Sequence, residues 1–372
     1  MTNGLSRREF LEGTAGMAVA LPALSSQERG DATFRFVALG DLHFDRWNHH
    51  DHEWLAREKP NDVRQVQNYS RITAEVLPAL FAEVREQITA DASMAFVAHI
   101  GDFVEGLAGT PELARKHCRE AVEFVREARL GRPFVFVKGN HDITGPGAVE
   151  AFNDILLPFV GSQLGRTLSG SSFVQRHGNA LFVYYDAYDP GSLDWLEKTL
   201  AERKEKHLFF VIHPPVVPYS ARSNWHLFAR PEQAAQRERL LNLLGKHRAV
   251  VLCGHLHKYG TVVRHTPAGP FVQIALLSVL PDREVKPKDE VRGLSEYGPE
   301  LVRFEAGFSP DSRAQRQELL IKEKPHIRYF EYADTAGYGI VSVSGEDIGI
   351  TLYNGTGKRV WRTLDITQLL RS

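Results

Sequence analysis

The sequence predicts an α/β fold, and three observations carry that expectation. Short apolar runs of strand length alternate with segments whose apolar residues recur at helical spacing. The runs are apolar throughout, as in strands covered on both faces. At 372 residues, 43% hydrophobic and 24% charged, the chain has material for two or three domain-sized units or one large domain with insertions. A core of that size needs no disulfide framework.

Taken in order, the strands are 34–39 (FRFVAL), 94–100 (MAFVAHI), 133–137 (PFVFV), 208–212 (LFFVI) and 249–253 (AVVLC). Helical patterns fill 64–88, with Pro78 as an expected kink, then 112–130, 193–204 and 232–246. His177, Gly178 and Asn179 mark a hairpin between 173–175 and 181–185. The tail reads as strands at 338–343, 348–353 and 360–364, whereas 281–325 reads as an irregular excursion with one short helix. Phe271 and Trp361 read as core. The polar stretch 45–62 carries His49, His50, His52, Trp47 and Trp54; a solvated loop is favoured there over a substrate lid or an extra metal site.

Composition excludes a disordered, collagenous or coiled-coil chain. The 45 basic and 46 acidic residues give a net charge of −1, so no broad cationic field exists for nucleic acid or anionic lipid, although local basic patches stay open. Cys118 and Cys253 lack any CxxC spacing and read as unpaired. Any metal should therefore bind through His and carboxylate, of which the 16 histidines offer ample supply.

The informative pattern lies at the strand ends. The five runs end in Gly40-Asp41-Leu42-His43, Gly101-Asp102, Gly139-Asn140-His141-Asp142, His213 and Gly254-His255-Leu256-His257. Ligands bind at the carboxyl ends of strands in open α/β sheets. In Asp41-x-His43 the two side chains are expected on one side of an extended segment, within reach of one ion, and His255-x-His257 repeats that spacing. Gly254 leaves the imidazoles room to converge. Seven ligands are too many for one tetrahedral ion but suit two ions sharing a carboxylate.

This ordered series resembles the calcineurin-like metallophosphoesterase superfamily. The resemblance covers residues 40–257 and implies a two-sheet α/β/β/α sandwich, with the strand-rich tail similar to the second sheet. It implies that Asp41, His43 and His257 hold one transition-metal ion, Asn140, His213 and His255 a second, and Asp102 bridges both; Fe, Mn and Zn all suit the donor set. His141 matches the catalytic histidine, oriented by Asp142 or by Glu105. The implied reaction is hydrolysis of a small-molecule phosphoric ester by a hydroxide bridging the two ions. Arg222, Asn224, Trp225 and His226 follow the His213 strand and are candidate substrate contacts, with ordinary loop residues as the alternative.

The protein Ser/Thr phosphatases carry Asp-Arg-Gly after Gly-Asp, and no arginine stands at that place here. The purple acid phosphatases carry a tyrosine where Glu105 stands and a glycine where His43 stands. Both subfamilies are disfavoured, and the bacterial phosphodiesterases and broad phosphatases are closer. A non-catalytic metal-containing module that binds phosphate ligands, and a nuclease, are the rival readings.

At the N-terminus, Ser6-Arg7-Arg8-Glu9-Phe10-Leu11 resembles the twin-arginine export signal. An apolar stretch of residues 13–24 comes next, too short to span a bilayer, with Ala23-x-Ser25 as a cleavage site and Ala18-x-Ala20 as the alternative. The expectation is a signal over 1–25, an export-machinery partner, a mature domain over 26–372 and a periplasmic or secreted location.

Overall fold

A computed structural model describes residues 33–307 and 312–372; the expected export signal lies outside the described residues. In chain order the strands begin with β1 (Thr33–Leu39), β2 (Met94–His99), β3 (Phe134–Phe136), β4 (Phe173–His177) and β5 (Ala180–Tyr185). Then come β6 (His207–Ile212), β7 (Val250–Cys253), β8 (Tyr259–Thr266), β9 (Gly269–Ala275) and β10 (Lys288–Arg292). The tail supplies β11 (Ile327–Asp334), β12 (Gly337–Ser344), β13 (Asp347–Asn354) and β14 (Val360–Asp365).

They form a six-stranded sheet, β14-β13-β12-β1-β2-β3, and an eight-stranded sheet, β10-β11-β8-β9-β7-β6-β5-β4. In the first, β1, β2 and β3 run parallel; in the second, β5, β6, β7 and β9 do. The two sheets face each other across an aromatic seam. Phe36 of β1 lies 5.0 Å from Phe96 and 5.1 Å from Phe182, which stacks on Phe209 at 4.7 Å. Offset and edge-to-face pairs of this kind add to the area they bury. Helices Val63–Glu75, Leu77–Ala90 and Pro111–Ala128 pack into the same core cluster as the first sheet. Helices Ser192–Ala201 and Ala234–Lys246 cover the other through Leu196, Leu200, Leu240 and Leu244.

Four expectations differ from this architecture. The pattern over 64–88 is two helices rather than one kinked at Pro78, because the proline sits in the first turn of the second helix, where a missing N–H costs nothing. The excursion 281–325 contains β10 as well as a 3-10 turn at Pro299–Glu305 and a helix at Arg313–Glu323. β10 is polar and pairs with β11 alone, so no apolar pattern marks it. The tail is not a sheet of its own: β11 joins the eight-stranded sheet, while β12 crosses to pair antiparallel with β1. Trp361 is only half-buried and donates to Glu290, whereas Phe271 is fully buried. Cys118 and Cys253 are buried and unpaired.

The segment after β1 is also not a solvated loop. His49 and His50 are buried. His50 bridges Asp45 (2.7 Å) and the Leu107 carbonyl (2.9 Å), and His49 Nε2 donates to Glu120 at 3.0 Å. Arg46 N–H donates to His49 Nδ1, and His117 Nε2 donates to the Phe44 carbonyl. Asp45, His49 and His117 cluster closely enough for an ion, but those bonds already engage the nitrogens nearest the carboxylate. The cluster is a hydrogen-bonded clasp that ties this segment to helix Pro111–Ala128.

Candidate metal centre

Every strand-end motif reaches one cleft, and it takes both sheets to do so. Asp41, His43, Asp102, Asn140 and His141 follow β1, β2 and β3; His213, His255 and His257 follow β6 and β7. The chain does not stay extended through these motifs, as the side-by-side expectation for Asp41 and His43 required. His43, Asp102, His255 and His257 all take positive φ (45°, 54°, 72° and 56°). Each turn folds a side chain back toward the strand end, and such strain persists only where surrounding bonds over-determine it. Here Leu42 and His43 N–H both donate to the Asp102 carbonyl (3.1 and 2.9 Å), and His255 N–H donates to the Asp41 carboxylate (3.1 and 3.0 Å).

Two donor groups result. In the first, Asp41 Oδ2 lies 3.2 Å from His257 Nε2, which lies 3.0 Å from His43 Nε2. In the second, His213 Nε2 lies 3.1 Å from Asn140 Oδ1 and 3.3 Å from His255 Nδ1. Asp102 Oδ2 stands between them, 3.7 Å from His43 Nε2 and 3.0 Å from His213 Nε2. Ligands about 2.0–2.2 Å from a tetrahedral ion stand roughly 3.3–3.6 Å apart; the donor atoms here, 3.0–3.7 Å apart, lie near that spacing, with Asp102 between the two groups. All the carboxylates and His43 and His213 are buried.

The electrostatics point the same way. Burial opposes charge on Asp41 and Asp102, yet the surrounding imidazoles outweigh it and hold both carboxyls low, Asp41 at about 2. Burial pushes His255 down to about 3 and lowers His257, leaving their nitrogen lone pairs available to a cation. Burial opposes charge on His213 too, but Asp102 beside it wins and raises the ring to about 9: the carboxylates draw positive charge into the cleft. His213 Nδ1 donates to the Ile100 carbonyl at 3.0 Å, which turns Nε2 toward Asp102 and Asn140.

His141 is adjacent to this cluster but distinct from it. Its N–H is held by Asp102 Oδ1 (2.8 Å), and its Nδ1 faces the Glu105 carbonyl (2.8 Å) and Glu105 Oε2 (3.2 Å). The same Oε2 is 2.6 Å from His43 Nδ1, so one carboxylate fixes both rings. Burial opposes charge on Glu105, but His141 and His43 outweigh it and keep the carboxyl ionised. Asp142, the other candidate for orienting His141, is elsewhere: Oδ1 accepts the N–H groups of Phe103 (2.8 Å) and Val104 (3.0 Å), and Oδ2 that of Gly139 (2.8 Å). It holds the loops together and makes no hydrogen bond or ion pair to the His141 ring.

The four loop candidates separate. Trp225 is partly exposed, its ring 5.4 Å from that of His255, and Arg222 lies over it at 5.3 Å. Arg222 also donates to Glu305 at 2.7 Å. Asn224 is half-buried, its side-chain oxygen without a hydrogen-bond partner. His226 is turned inward: it is buried, donates from Nδ1 to the Ser223 carbonyl at 2.7 Å, and burial pushes it down to about 3. It caps the 3-10 turn Ser223–Trp225.

Sequence reading missed Gln65 and Tyr69, four residues apart on helix Val63–Glu75. Gln65 donates to Glu105 at 3.1 Å, while the Tyr69 ring stacks on His43 at 4.5 Å with its hydroxyl 3.4 Å from His257 Nδ1. Their i, i+4 spacing puts them on one helix face, but nothing in the sequence says which face meets the cleft.

The calcineurin-like phosphoesterase family model matches residues 34–259. No curated protein matches the chain. In fold, the chain is similar to a purple acid phosphatase, PPD1, from yellow lupin (Lupinus luteus), with 10% identity and a TM-score of 0.52. That match covers 91% of this chain but 54% of the lupin protein, about half its length. It is also similar to a dimetal phosphatase from Danio rerio (12% identity, TM-score 0.50, covering 90% and 98%). A third neighbour is GAP50, the anchor in the inner membrane complex of Plasmodium (14% identity, TM-score 0.50, covering 90% and 88%). At such identities these likenesses speak to the fold alone.

Proposed function

The chain belongs to the calcineurin-like phosphoesterase family, and from that premise we propose that it is an exported hydrolase of small phosphoric esters using two metal ions. Asp41, His43 and His257 would hold one ion, Asn140, His213 and His255 the other, and Asp102 would be shared between them. Fe, Mn or Zn suits this mixture of imidazole, carboxylate and amide oxygen. A metal pair there supplies, when bound, positive charge to the phosphoryl oxygens and an acidified water near neutral pH.

The remaining work falls to the chain's own side chains. Glu105 keeps a proton on His141 Nδ1, so the imidazole acts as a cation and proton donor beside the leaving oxygen. Glu105 also holds His43 in the tautomer that offers Nε2. Trp225 and Arg222 border the cleft on the His255 side, where the organic part of an ester would lie. Export would use the twin-arginine segment Ser6–Leu11, and its test is whether lysines at 7 and 8 retain the protein in the cytoplasm.

The observation that carries this reading is an imidazole outside the two donor groups, His141, held by Glu105 at their edge. GAP50 has a similar fold and is described as an anchor, so a binding module is the second reading. A purely structural centre has no use for His141. The test is turnover of p-nitrophenyl phosphate and bis-p-nitrophenyl phosphate by protein of known metal content. Replacing His141 by Asn should keep the metals and reduce turnover by about 10²–10⁴-fold. Unchanged turnover refutes its role, and metal-loaded protein that cleaves neither ester favours the binding module.

A further inference from the structure

At the opposite end of the eight-stranded sheet lies a cavity of about 360 Å³. It opens at the amino ends of β6 and β7, a full strand length of about 20 Å from His213. Arg203, Lys206, Lys246, Arg248 and Arg371 line it, and Glu346 is the one carboxylate among the lining residues. A chain of net charge −1 thus gathers a formal excess of four positive charges around one concavity.

Local structure accounts for only part of that excess. Three helices, Ser192–Ala201, Ala234–Lys246 and Ile366–Arg371, end here, and their carboxyl-terminal dipoles favour cations. Each dipole amounts to about half a charge, so together they offset about 1.5 of the four. Glu346 is already paired with Lys206, and Arg248 donates to the Leu370 carbonyl. Lys246 and Arg371 have no ion-pair partner among the described residues.

The frame is preorganised for an anion. The Arg203 guanidinium is fixed by the Lys206 carbonyl and by His247, whose Nδ1 accepts from it at 3.1 Å, while its buried Nε–H has no partner. An unsatisfied buried donor of this kind signals a ligand or water. His247 is lowered by burial, then by Arg203 and Lys246, and accepts as a neutral ring. His207 donates to the Gly345 carbonyl at 2.8 Å and pins the β12–β13 turn as the cavity's far wall.

We propose that this cavity is a second anion site, which takes a small molecule bearing one or more phosphate groups, apart from the metal centre. Its volume is at the small end of ligand pockets, the size of a compact organic phosphate. A phosphate offers the acceptor geometry that a fixed guanidinium and neighbouring ammonium groups recognise. The proposal does not depend on the hydrolase reading.

The test titrates the metal-loaded protein with methylenebisphosphonate, whose P–C–P link resists hydrolysis, by calorimetry. Inhibition of p-nitrophenyl phosphate turnover separately reports occupation of the metal centre. Two double variants, Arg203→Ala/Lys246→Ala and Lys246→Gln/Arg371→Gln, remove cavity charge; the second spares the Arg203 hydrogen bonds in case the first does not fold. The expected result is a binding event at least about tenfold weaker in the variants, the cost of lost charge-assisted bonds, with inhibition unchanged. A parallel arm uses phosphatidylcholine vesicles with and without phosphatidic acid. Binding of the soluble probe assigns a free ligand, and binding of the phosphatidic acid vesicles alone assigns a lipid headgroup. If neither probe binds, or both variants bind like the parent, the proposal is overturned.

Discussion

Glu105→Gln isolates what one buried carboxylate contributes to two imidazoles. The side chain keeps its shape, so packing against Gln65 and the loop after β2 is retained, and only charge is removed. Two contacts change, to His43 Nδ1 at 2.6 Å and His141 Nδ1 at 3.2 Å. A hydrogen bond to a charged group contributes about 1.5–3 kcal/mol and a neutral one about 0.5–1.5, so neutralising both costs about 2–3 kcal/mol. That corresponds to about 30–150-fold. The assay is kcat and KM for p-nitrophenyl phosphate across a metal titration, with bound metal measured directly. Loss acting through His43 appears as weaker binding of one ion, which excess metal restores. Loss acting through His141 appears as a lower kcat that no metal concentration restores. A variant with parent-like metal affinity and parent-like kcat refutes the claim that this carboxylate positions either ring.

Asp142→Asn should behave in the opposite way. An amide cannot accept from three backbone N–H groups at once, so one is stranded at a cost of about 1–3 kcal/mol, read by denaturant unfolding, with turnover of folded protein little changed. In Gly254→Ala the new Cβ would lie 2.0 Å from Asp41 Oδ1, so the carboxylate must move and bound metal per chain should fall while the circular-dichroism spectrum is kept. Glu323 is buried between Arg237 and Arg264; burial opposes its charge, but the two guanidiniums outweigh it and hold the carboxyl at about 2 against an ordinary 4.5. Its contribution is therefore complete above pH 4.5 and lost as pH falls toward 2, about 3 kcal/mol that Glu323→Gln should remove from the acid limb of the stability curve.

The α/β class and the five strand ends that converge on one cleft were legible in the residues alone. Strands buried on both faces are apolar throughout, and metal chemistry confines the residue types at their ends, so both signals are local. His141 was set apart from the donor series by the family resemblance, not by its own local pattern. Tertiary structure settled whatever depends on contacts between distant segments. Glu105 and Asp142 are alike on paper; only the fold puts one against two imidazoles and the other against three backbone amides. His49 and His50 read as loop residues because their partners, Leu107 and Glu120, lie far along the chain. β10 escaped notice because a polar edge strand is defined by its neighbour β11 rather than by its own pattern. The left-handed turns at His43 and His255 are likewise tertiary: no sequence rule places a non-glycine residue at positive φ, and the backbone bonds to Asp102 and Asp41 hold the chain there. The basic cavity at the far end of the sheet has the same origin, since its cations come from helix ends and from the residues leading into β6 and β7, which only the packed fold brings together.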